Sequence, residues 1–92
     1  MKSSTFILTN KSKRITKRLV NHWQHKFEVE ETENKSSIFM TNATVTLTPF
    51  IHKLNIEIDT QRSDYTSLEQ VVIEHINRMA QQEYQVAWTH QA

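Results

Sequence analysis

The 92-residue chain contains no glycine and no cysteine, and its single proline is Pro49. Without glycine there is no P-loop and no dinucleotide fingerprint, because both need backbone to approach phosphate where a Cβ would clash. Turns that require positive φ must then fall to Asn or Asp, and Asn34 and Asn42 are the candidates. Without cysteine there are no disulfides, no thiol redox chemistry, no Fe–S ligation and no Cys-containing zinc site. Long apolar runs are missing too. The one nearest the N-terminus, Phe6-Ile7-Leu8, falls far short of a signal-peptide core or a membrane span. The expectation is an unexported, cytoplasmic protein with no membrane partner. At 92 residues it is also expected to form one small domain over residues 1–92, since domains usually take about 100 to 200 residues.

What is present has clear periodicity. Residues 5–9 read as a strand. From Lys13 to His25, Ile15, Leu19 and Trp23 recur every fourth position and so share one face of a helix, with Ser12 or Asn10 available as its cap. Phe27-Glu28-Val29-Glu30 alternates as a strand, residues 38–41 form another, and Thr44–Thr48 and Leu54–Asp59 give the clearest alternations. A second helix opens near Ser63, Asp64 or Thr66, where Thr66-Ser67-Leu68-Glu69 fits a capping box, and Leu68, Val72, Ile76 and Met79 line one face through Gln81. Val86 and Trp88 suggest a final strand. Strands with one apolar face and helices with one apolar stripe satisfy each other by packing together. The expected fold is a two-layer α+β sandwich, an antiparallel sheet covered on one face by two helices, in the order β-α-β-β-β-β-α-β. Trp23, Phe27 and Trp88 are assigned to its core, and Glu28, Glu30, Glu57 and Asp59 to its wet sheet face.

The charge distribution is uneven. Seven of the eleven Lys and Arg, and none of the ten Asp and Glu, lie in residues 1–27, giving +7 there and −6 in the remainder. Lys11, Lys13, Arg14 and Arg18 gather on the first helix, and those at its start oppose the helix dipole. They are candidates for an anion site, although a solvated face is the commoner role of such a run.

The segment HWQHKF, residues 22–27, is the second feature. With Trp23 turned inward, His22 and Lys26 form an i, i+4 pair on one flank, joined by His25. In the second helix His75 lies between Val72 and Met79, with Arg78 on the adjoining edge. If the helices lie side by side, His22 or His25 faces His75 across a groove, and with Lys26, Arg78 and Glu83 they form a constellation able to hold a metal ion or an anionic ligand. Iron or zinc is the metal such a set would take. The structural alternative is a polar helix end plus one half-buried histidine. His52 and His90 look unrelated to this group. No serine or threonine sits in a nucleophile elbow or triad pattern, so no catalytic residue is assigned and the chain leans away from enzymes.

HWQHKF together with EHINRMAQQEYQVAW, residues 74–88, resembles the bacterial family known as domain of unknown function 2218, over nearly the whole chain. The family's characteristic positions fall on His22, Trp23, His25, Lys26, Phe27, His75, Arg78, Ala80, Glu83 and Trp88. The sequence departs from the family pattern at Met79, where Phe is common, and at Thr41-Asn42, where the family commonly has glycine in the hairpin. The resemblance implies no established activity. It implies a context, modules joined to or near siderophore-interacting flavin reductases in bacterial iron acquisition, and hence a small binding or accessory domain for a ferric chelate or a partner reductase. Two alternatives stand beside that expectation: binding of nucleic acid or another polyanion by the basic first helix, and a dimerisation module. Nucleic acid ranks lower because the helix has no aromatic interleaving.

Overall fold

In the computed structural model, which describes residues 1–92, the chain forms β1 (Lys2–Leu8), α1 (Ser12–Trp23), β2 (Glu28–Glu31), β3 (Ser36–Met40), β4 (Ala43–Pro49), β5 (Lys53–Thr60), α2 (Tyr65–Ala80) and β6 (Thr89–Gln91). The six strands make one antiparallel sheet in the order β2-β3-β4-β5-β1-β6. This is the α+β arrangement and the element order that periodicity predicts. No helix is long and apolar enough to cross a membrane.

Register explains the two faces. Val29, Ile38, Val45, Ile58 and Ser3 lie side by side across neighbouring strands, as do Ser36, Leu47, Ile56 and Thr5. Both rows point to the helices. The intervening residues face away from the helices: Glu28, Glu30, Glu57 and Asp59 are exposed and Thr44, Thr46 and Asn55 half-buried, because successive side chains of a strand alternate in direction. Against the inner rows α1 lays Ile15, Leu19 and Trp23, and α2 lays Leu68, Val72 and Ile76. Fully burying one such side chain contributes about 1.5–3 kcal/mol, so this single layer is the main source of stability. Phe27 and Trp88 pack against it half-buried, whereas Trp23 is 4% exposed.

Several local expectations need correction. Neither Asn10 nor Ser12 caps α1: its N-cap is Lys11, with no side-chain cap hydrogen bond. Both candidates are taken by the β4–β5 turn, where Ser12 Oγ donates to the Phe50 carbonyl and Asn10 Oδ1 bonds His52 Nδ1 at 2.8 Å. The capping box does not form either, since α2 opens at Tyr65 after Asp64 and carries Thr66 and Ser67 within its first turn. The last strand is Thr89–Gln91 rather than Val86 and Trp88, whose segment joins β1 instead through the Thr5 hydroxyl donating to the Ala87 carbonyl at 2.9 Å. Asn42 has φ 55°, as a glycine-free hairpin demands, but Asn34 does not adopt positive φ. Thr32 takes over that turn, its hydroxyl accepting from the Lys35 amide at 3.2 Å. The second positive φ, 56°, falls on Gln81 at the end of α2, where its amide returns to Arg78 and Asn77 carbonyls.

Candidate functional site

The helices lie side by side on the sheet, so the end of α1 meets the middle of α2. His75 is held there between two aromatic neighbours. Its ring lies 5.3 Å from that of His22 and 5.1 Å from that of Trp23, both tilted. His75 Nδ1 is 2.8 Å from the Val71 carbonyl. A carbonyl only accepts, so Nδ1 carries a proton and is committed to the helix backbone, leaving Nε2 as the ring nitrogen free for another partner. The i, i+4 spacing from Val71 to His75 makes this bond, and the i, i+4 spacing from Leu19 to Trp23 turns the indole under the imidazole.

Beside this stack is an open groove of about 530 Å³ lined by residues of the α1 end, the β3–β4 turn and the start of α2. Its charged or titratable lining residues are His22, Lys26, Arg62 and His75, and no carboxylate is among them. Trp23, Phe27, Met40, Leu68 and Val71 supply apolar walls. Lys26 Nζ stands 5.6 Å from the Phe27 ring centre, a cation–π contact that leaves the ammonium exposed. Arg62 is engaged: its Nε and Nη2 donate to both oxygens of Asp64 at 2.8 and 2.7 Å. That hydrogen bond, with the charge attraction behind it, raises the arginine's pKa, and the same hydrogen bond holds the Asp64 carboxyl below its usual range.

The structure thus brings His22, Lys26 and His75 together, and adds Arg62, which sequence spacing did not single out because it lies in the β5–α2 connection. The other candidates lie elsewhere. His25, in the turn after α1, is exposed and does not line the groove. Arg78 lies in the last turn of α2, beyond the lining, where its charge complements the helix dipole. Glu83 lies on the other flank of α2, in a groove shared with Glu69, Gln70, Glu74 and Asn77. No three His, Cys, Asp or Glu side chains come together as a metal-binding group.

The basic run on α1 also divides. Arg18 Nη1 donates to the Met79 carbonyl at 3.0 Å, supplying one of the acceptor-rich α2 end's missing partners. Lys11, Lys13 and Arg14 remain exposed around the helix start beside Phe50 and Ile51. The two histidines without an assigned role both have partners: His52 bonds Asn10, and His90 Nε2 meets the buried Glu69 carboxylate at 2.6 Å with its ring edge-on to Tyr65. The Glu69 contact was invisible in the sequence because Glu69 has helical spacing for a flank and His90 sits in a tail.

The same architecture is known in a solved protein. The NMR structure of PA4090 from Pseudomonas aeruginosa superposes with a TM-score of 0.81 at 29% sequence identity, covering 96% of this chain and 94% of that one. No curated protein matches the sequence. Residues 4–89 match the family model described as "Uncharacterized protein conserved in bacteria (DUF2218)", and the chain belongs to that family.

Proposed function

We propose that the protein is a non-catalytic binding module whose groove between α1, α2 and the β3–β4 turn takes a small anion with a planar face. The observation that carries this reading is the carboxylate-free lining. In a chain of net charge +1, one concave surface collects His22, Lys26, Arg62 and His75 over an apolar floor. Cationic donors recognise carboxylate or catecholate oxygens, and the tilted His22–His75–Trp23 stack offers edges and faces to a ring. A ferric chelate is the ligand implied by the sequence resemblance to modules near siderophore-interacting reductases, and such a reductase is the partner the module would serve. Because the side chains do not assemble a metal-binding group, iron would enter with its coordination already filled by the chelator. Free metal would then find no site.

The test is a titration with a ferric catecholate chelate and, separately, with Zn²⁺, following the imidazole resonances of His22 and His75 and the Trp23 fluorescence. The chelate should move both histidines together, and His75→Ala and Lys26→Ala should each weaken binding about tenfold, the scale of one charge-assisted hydrogen bond. Unmoved histidines, or variants that bind like the parent, would remove this function.

A further inference from the structure

At the opposite end of the sheet from that groove, the structure carries a second surface with different chemistry. β4 runs from Ala43, beside the groove, to Pro49, and the turn that follows it, Phe50–His52, meets the end of β1 and the start of α1. Four of the seven exposed large apolar side chains lie here: Ile51 is 81% exposed, Leu8 70%, Phe6 54% and Phe50 46%. Lys53 bridges two of them, its Nζ 5.6 Å from the Phe6 ring and 5.3 Å from the Phe50 ring. Lys11, Lys13 and Arg14 flank the same tip. Neither residues 1–27 nor residues 48–56 contain an acid, and Glu83, on the nearby C-terminal segment, lines the groove on the far flank of α2.

The tip is also braced. The Thr9 amide donates to the His52 carbonyl at 3.0 Å, Asn10 bonds the His52 ring at 2.8 Å, Ser12 bonds the Phe50 carbonyl, and the Phe50 amide closes the turn on Lys53 at 2.8 Å. The side chains that would have capped α1 are spent on holding this turn in place. Exposed apolar residues are therefore presented on fixed backbone.

We propose that this end docks onto an anionic phospholipid surface, with Phe50, Ile51 and Leu8 entering the headgroup boundary and Lys11, Lys13, Arg14 and Lys53 meeting lipid phosphates and carboxylates. Apolar insertion combined with basic charge is the pairing that gives stable peripheral binding, where either alone is marginal. A protein partner would need a matched counter-surface of about 800 Å², whereas a bilayer accepts any protruding tip. Single-stranded nucleic acid would use open aromatic faces, but Lys53 already stands over one face of each of Phe6 and Phe50, and the two most exposed residues are aliphatic. No apolar run in the sequence marks this surface, because Phe6, Leu8, Phe50 and Ile51 come from two separate segments and meet only in the fold.

The experiment is flotation of the full chain with phosphatidylcholine vesicles, with vesicles containing about 30% phosphatidylserine, and binding to a short single-stranded DNA in parallel. At about 0.15 M salt the protein should float with the phosphatidylserine vesicles and not with phosphatidylcholine alone. Ile51→Glu, at a position with almost no internal contacts, should lower that partition about tenfold or more. The Lys11→Glu/Lys13→Glu variant should lower it at least as far, since each cation near an anionic leaflet is worth roughly fivefold. Acidic residues suit the start of α1, so unfolding cannot explain that loss. Absence of vesicle binding, wild-type binding by Ile51→Glu, or binding to DNA alone would each overturn the proposal.

Discussion

Replacing His90 by alanine should destabilise the fold although His90 belongs to a three-residue edge strand. β6 offers little apolar surface: all three of its residues are exposed. It is held by its ladder to β1 and by His90, whose Nε2 lies 2.6 Å from Glu69 Oε2. Glu69 is 6% exposed. Truncating His90 therefore strands a carboxylate between α2 and β6, and a buried group without its partner costs about 1–3 kcal/mol, more if charged. The His90 side chain is itself 35% exposed, so water can enter the vacated space and the central figure, about 2 kcal/mol, is the appropriate one. For a chain of this size that corresponds to a fall in Tm of about 8–16 °C. Glu69→Gln removes the charge and should cost less, about 1 kcal/mol. The Glu69→Gln/His90→Ala double variant should be clearly more stable than the sum of the two losses, with a coupling of at least about 1 kcal/mol. Thermal and urea unfolding of the four proteins at pH 7 measures this cycle, and hydrogen exchange should show loss of protection confined to the β1–β6 amides in His90→Ala. Strictly additive effects, or a loss below about 0.5 kcal/mol for His90→Ala, would refute the view that this pair fastens β6 to α2.

Gln81→Gly should stabilise the protein by about 0.5–1 kcal/mol, because Gln81 holds φ 56° at the end of α2 where glycine bears no Cβ penalty; an unchanged or lower urea midpoint would contradict this. Asp64→Asn should release Arg62 into the groove and tighten chelate binding a few-fold, read by the same titration. Its effect on stability should depend on pH. The Asp64 carboxyl is held low in the folded state by its hydrogen bond to Arg62, so the stability it contributes is full above the unfolded carboxylate range, about pH 4, and is lost as pH falls through the lower folded value. Wild type and Asp64→Asn should therefore differ in urea midpoint at pH 7 and converge in strong acid.

Local spacing made much of this protein legible. Ile15, Leu19 and Trp23 at every fourth position, and the alternation through Thr44–Thr48 and Leu54–Asp59, determine which face of each element is apolar, and one apolar face per element leaves a two-layer sandwich as the arrangement that buries them all. The absence of cysteine and glycine removed whole classes of site, and the basic first 27 residues announced an electrically divided molecule. Which side chains meet was decided elsewhere. His22 and His75 are 53 positions apart and face each other because both helices lie on the same sheet with their stripes turned down. Glu83 and His75 are closer in sequence, yet α2 stands between them. Arg18 looked like part of an anion cluster until the end of α2 supplied a carbonyl for it, and His90 looked like a tail residue until β6 settled against β1 with Glu69 above it. Periodicity reports the direction of a side chain relative to its own element; partners across the fold depend on how the elements are placed and rotated, and that is fixed by the packing of the whole core.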